Sequence, residues 1–84
     1  GLVNYVVSAE KVEEVALELA ATIADNAPLA VRAARKVMRR AADLSEVGAL
    51  ALESAEAVKV AASEDAQEGP RAFMEKRPPV FKGV

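Results

Sequence analysis

Phe73, Lys76 and Arg77 are the residues of this chain whose types and spacing could do chemistry. They lie three and four apart, so on a helix all three share one face. An aromatic ring beside fixed cations can hold a flat base next to a phosphate. Pro78-Pro79 would end such a helix, because proline lacks the N–H and disfavours helical geometry in its predecessor. The competing reading makes Phe73 a core aromatic under the last helix, and spacing alone favours it.

Other candidates are weaker. Glu64/Asp65/Glu68 and Glu10/Glu13/Glu14 form carboxylate groups, but they fall at helix starts or on exposed faces. There the helix dipole and solubility account for acids. Without histidine or cysteine, the chain lacks the commonest metal ligand and general base, and disulfide and thiol chemistry are excluded. No catalytic residue and no metal site are expected. Arg32, Arg35, Lys36, Arg39 and Arg40 make a basic stripe at helical spacing. No aromatic interleaves with them and the net charge is −2, so a solvated face is expected rather than a nucleic-acid surface.

The elements that must position these residues are helical. Residues 1–7 read as an extended apolar lead-in, followed by a helical domain over 8–84. Ser8 is a candidate N-cap for a helix carrying Val12, Val15, Ala16, Leu19 and Ile23 on one stripe. Pro28 suits the first turn of a second helix that would bury Ala30, Ala33, Ala34, Val37, Met38 and Ala41. Ser45 would cap a third helix, whose buried side would hold Val47, Leu50, Ala51, Ser54, Ala57, Val58 and Ala61; Gly48 would permit close helix approach. Ser63 would cap the last helix, which Gly69-Pro70 could divide or kink. The expectation is a compact all-α fold of three helices plus a short, kinked terminal one.

Charge alternates along these elements. Residues 8–25 carry −4, 28–42 carry +5, 43–62 carry −3, and 63–84 balance. Opposite signs on neighbouring helices suggest antiparallel packing. Nineteen alanines and twelve valines, against thirteen Leu, Ile, Met, Phe and Tyr, give only a thin core. A chain of this size buries only about 60–65% of its unfolded surface. No window approaches ~18 continuous apolar residues, so no membrane span is expected, and no signal peptide is visible.

The run Ser63-Glu64-Asp65-Ala66 through Glu68-Gly69, Ala72-Phe73, Glu75-Lys76-Arg77, Pro79 and Phe81 closely resembles the C-terminal end of the enoyl-CoA hydratase/isomerase (crotonase) superfamily. Gly1-Leu2-Val3-Asn4 with Val6-Val7 is similar to the segment where those enzymes leave their core, and Asn26-Ala27-Pro28-Leu29-Ala30-Val31 to the turn opening the following helix. Pro70 departs from the family pattern. The resemblance implies the helical C-terminal part of an enzyme whose α/β spiral core lies outside this chain, an expectation that the opening Gly1 also prompts. It implies an acyl-CoA thioester substrate, hydration of a 2-enoyl-CoA or double-bond movement, no separate cofactor, and a cytoplasmic or organelle-matrix setting. It implies contacts with the chain's own core and with further subunits, as a trimer or dimer of trimers. The catalytic glutamates and oxyanion hole fall to the core. Phe73 is implied to line the adenine of coenzyme A, often that of the adjacent subunit, and Lys76 to face its 3′-phosphate; whether Arg77 assists stays open. The alternative is a non-catalytic helical module docking a partner helix. That would explain the alanine-rich stripes but not the three ordered matches.

Overall fold

The computed structural model describes all 84 residues, as four α-helices joined by short turns, with no strand. Residues 1–7 form no helix or strand, and the 3₁₀ turn Ala9–Lys11 leads into α1 (Val12–Ala24). Ser8 has extended backbone but its side chain caps nothing. Instead, the Glu10 carboxylate accepts from its own backbone N–H and from the Ser8 hydroxyl, which lowers its pKa.

The remaining boundaries follow local chemistry. Asn26 Nδ2 donates to the Thr22 carbonyl at 2.8 Å, satisfying one orphan acceptor at the end of α1. Pro28 occupies the first turn of α2 (Pro28–Ala41), where its missing N–H costs nothing. Ser45 Oγ accepts from the Gly48 N–H to start α3 (Glu46–Ala61), and Ser63 Oγ accepts from the Ala66 N–H to start α4 (Glu64–Glu75). A Cβ at Gly48 would lie 3.3 Å from Ser45 Oγ, so this glycine makes room for the cap, not for a second helix.

Gly69-Pro70 does not divide α4, which runs unbroken from Glu64 to Glu75. Proline's ring normally collides with the Cβ of the preceding residue, and Gly69 has none. Phe81 from the returning tail lies 4.0 Å from where that Cβ would stand, covering the bare backbone.

α2 and α3 pack antiparallel, bringing Lys36 to Glu56 and Leu29 to Val60. The half-buried positions include Leu29, Ala30, Ala33, Val37 and Ala41 on α2, and Ala49, Leu52, Glu56 and Val60 on α3. The stripe expected to be buried on α3 is the opposite side. Val47, Leu50, Ala51, Ser54, Ala57, Val58 and Ala61 are all exposed, as are Ala34 and Met38 of α2. The α1 stripe fares alike, with Val12, Leu19 and Ile23 exposed.

The expected compactness is therefore overturned. The radius of gyration is 16.1 Å, against about 12 Å for a compact domain of this length. The extents of 43 × 40 × 18 Å describe a slab one helix pair thick. Only Ser63, Asp65 and Ala72 are buried. Helices faced largely with alanine and valine cannot enclose a core by themselves, and their apolar sides remain open.

Candidate functional site

The end of α4 is where the aromatic and the cations converge, though not as helical spacing suggests. The helix stops at Glu75, and Lys76 turns into the left-handed region at φ 54°, ψ 39°. It is the one non-glycine residue with positive φ. The Lys76 N–H donates to the Phe73 carbonyl at 3.2 Å and the Arg77 N–H to the Ala72 carbonyl at 3.1 Å. Those two bonds constitute a Schellman C-cap, a position that usually falls to glycine. A side chain there costs about 1–2 kcal/mol, because Cβ crowds the carbonyl that follows. Phe73, Lys76 and Arg77 therefore do not share one helical face. The cap instead ties Phe73 to Lys76 through the backbone and sends Arg77 elsewhere.

Phe73 is 85% exposed, which removes it from any core within this chain. Lys76 pairs with no carboxylate here. Arg77 uses four of its five N–H donors. Its two Nη atoms grip both carboxylate oxygens of Glu68, its Nε donates to Glu75 at 2.6 Å, and Nη1 also reaches the Pro78 carbonyl. The forked Arg77 guanidinium and then the Val80 N–H hold the Glu68 carboxyl down at about 2. Glu68 first, and Glu75 with it, raise the Arg77 pKa in turn.

Asp65 and Glu68 are thus not merely helix-start or solvent-facing acids. Asp65 is 3% exposed and accepts the Lys82 N–H at 2.7 Å and the Gly83 N–H at 2.8 Å, one on each oxygen. Glu68 accepts the Val80 N–H at 2.8 Å. The Val84 carbonyl closes the return by accepting the N–H groups of Glu64 and Asp65 at the start of α4. Residues 77–84 fold back along α4 as a strap, and these carboxylates are its anchors. The one visible hint of this in the sequence is the even balance of four acids and four cations across 63–84.

Neither carboxylate is free for acid/base work. A polar cleft of about 320 Å³ beside the strap includes Glu64, Gln67, Arg71 and Lys82 with them; Asp65 and Glu68 are already occupied there, and Glu64 lies 3.5 Å from Lys82 Nζ. No group of three metal-ligating side chains comes together. The five cations of α2 line one open groove of about 570 Å³. Lys36 pairs there with Glu56, which also takes Lys59; Lys36 and then Lys59 lower the Glu56 pKa. No helix is long and apolar enough to cross a membrane.

An open helical slab with uncovered apolar faces and a capped aromatic–lysine pair at one corner defines a class. It is an all-helical element whose apolar faces stand exposed. The family model for enoyl-CoA hydratase/isomerase matches residues 1–84, and the chain belongs to that family. It is 43% identical to an enoyl-CoA hydratase of Mycobacterium tuberculosis, over 98% of this chain and 31% of that protein. A carnitinyl-CoA dehydratase of Proteus mirabilis is 45% identical over 99% of this chain and 33% of its own length. The crystal structure of an enoyl-CoA hydratase from Bacillus anthracis superposes with a TM-score of 0.94 at 38% identity, covering the whole chain and 33% of that structure. The chain spans about a third of the length of these relatives and corresponds to the helical C-terminal part of the crotonase fold.

Proposed function

We propose that this chain is the coenzyme-gripping and subunit-contacting part of an acyl-CoA-processing enzyme, with hydration of a 2-enoyl-CoA as its reaction. The observation that carries the reading is the pairing of an exposed Phe73 with an unpartnered Lys76 through one backbone bond, at the positions where the resemblance implies the nucleotide end of coenzyme A. Phe73 lies under the adenine, and Lys76 meets the ribose 3′-phosphate as a flexible point charge. Binding energy from that remote end serves to position the reacting carbons. Chemistry at the thioester falls to the core, where an oxyanion hole would stabilise the enolate and glutamates would deliver water. Coenzyme A arrives as part of the substrate, and no other cofactor enters.

The open apolar sides of α1, α2 and α3 supply the contacts, partly with the core of the same polypeptide and partly between subunits of a trimer or dimer of trimers. The alternative, a free-standing helical interaction module, accounts for those sides equally well. It leaves unexplained the match of all 84 residues to an enzyme family.

The test is to replace Lys76 by alanine in the full-length protein and measure binding of an acyl-CoA and of its 3′-dephospho counterpart. A partly exposed charge-assisted contact contributes about 1–2 kcal/mol, or about five- to thirty-fold in affinity for the phosphorylated ligand alone. Phe73→Ala is expected to weaken both ligands alike, since adenine is common to them. Equal losses for the two ligands in Lys76→Ala would defeat the assignment.

A further inference from the structure

Lys76 stands where glycine would be more comfortable, and an elaborate set of contacts holds it there. The turn is fixed from one side by the two cap hydrogen bonds to Ala72 and Phe73. From the other it is fixed by the very next residue, whose guanidinium forks onto Glu68, nine residues back, and reaches Glu75 as well. Glu68 also takes the Val80 N–H, so the same carboxylate secures the chain on the far side of Pro78-Pro79. Where a Schellman cap ordinarily leans on a hydrophobic contact from the second residue after the helix, this one leans on an ion pair.

We infer that Glu68 and Arg77 are positioning residues for Lys76: their forked ion pair holds the left-handed turn that sets the lysine next to Phe73, and so sets preference for a nucleotide bearing a 3′-phosphate. This rests on the reading of Phe73 and Lys76 given above. Arg77, the next cation along, is assigned to support rather than to the phosphate, because four of its five N–H donors are already committed to Glu68, Glu75 and the Pro78 carbonyl. The strained lysine is kept for its charge, since glycine would relax the turn and lose the ammonium.

The inference makes a prediction of sign that simple electrostatics reverses. Removing the negative charge of Glu68 near an anion should tighten phosphate binding if charge alone mattered. If Glu68 works through the turn, its loss should loosen binding instead.

The experiment uses the full-length protein and an acyl-CoA with its 3′-dephospho counterpart, and reads the ratio of the two affinities alongside the thermal midpoint. Glu68→Gln is expected to lower that ratio about three- to tenfold, as the freed lysine regains its rotamers. Arg77→Lys should do the same despite keeping the charge, because an ammonium cannot fork onto a carboxylate. Lys76→Gly should erase the preference with a midpoint unchanged or higher. A ratio unchanged or raised in Glu68→Gln overturns the positioning role, as does full retention in Arg77→Lys. If Lys76→Gly itself keeps the preference, the site reading fails, not merely its support. Should Glu68→Gln fail to fold, as judged by lost affinity for the dephospho ligand, Arg77→Lys decides alone.

Discussion

Asp65→Asn isolates the anchoring of the strap in a single isosteric change. In the native chain one carboxylate oxygen accepts the Lys82 N–H at 2.7 Å and the other the Gly83 N–H at 2.8 Å, at a site 3% exposed. Asparagine keeps the shape but offers one acceptor, and its NH₂ must face the second amide. The first amide trades a charge-assisted bond for a neutral one, a loss of about 1 kcal/mol. The second loses its acceptor in a buried place, costing about 1–2 kcal/mol. The strap should therefore open more easily by about 2–3 kcal/mol, which corresponds to roughly 30- to 150-fold in its opening equilibrium. Amide hydrogen exchange resolved at Lys82 and Gly83 in the full-length protein reads this directly, because local opening governs exchange there. The helix interior of α2 serves as internal reference and should exchange as before. If the two amides in Asp65→Asn exchange within about threefold of the native rate, the carboxylate is not what holds the strap.

Three further outcomes are expected. Gly83→Ala should loosen the same strap, since Gly83 sits at φ 77° and an added Cβ would lie 3.2 Å from Pro28 Cγ; a thermal midpoint equal to that of the native protein would contradict this. The Glu68 carboxyl is held at about 2, so its stabilising effect is fully present above its ordinary value of 4.5 and disappears as pH falls through about 2. Exchange at the Val80 amide, corrected for its intrinsic pH dependence, should stay protected at pH 4 and lose protection only below about 3; loss at pH 4.5 would refute the ion-pair account. The isolated 84-residue chain should self-associate or melt broadly, its apolar faces being open, and should not hydrate crotonyl-CoA, because no acid/base pair stands beside an oxyanion hole; sedimentation, thermal melting and a turnover assay test this, and a monomer melting sharply above ~65 °C or turnover that follows the protein through purification would contradict it.

Much of the helical layout could be read from the sequence because local chemistry decides it. Pro28 in a first turn, and Ser45 and Ser63 accepting from the third residue onward, act within four residues of themselves. Ser8 precedes a 3₁₀ turn rather than an α-helix, and its side chain makes no cap bond. Gly69-Pro70 looked like a break because proline rules assume a Cβ before the ring, and a phenylalanine twelve residues on completes the site. Which side of α3 is buried was not legible, since both sides are rich in small apolar residues and only the position of α2 chooses between them. Type and spacing group Phe73, Lys76 and Arg77, and only the family resemblance sets Phe73 and Lys76 apart; the bond that joins those two belongs to a left-handed turn that no glycine announces. The strap was hidden but for the charge balance of residues 63–84. Its contacts link Asp65 to residues 17 and 18 positions away and Glu68 to Arg77 and Val80, separations with no periodic signature.

The closure made by the Val84 carbonyl on the first amides of α4 has a practical consequence for labelling. A twelve-residue helix is about 18 Å long, and Val84 meets its beginning, whereas Phe73 and Lys76 stand at its finish. Any dye, tether or fusion joined after Val84 would emerge beside Ser63 and Glu64, a helix length from the aromatic–lysine corner. A reporter attached there could follow fraying of the strap without crowding the ligand.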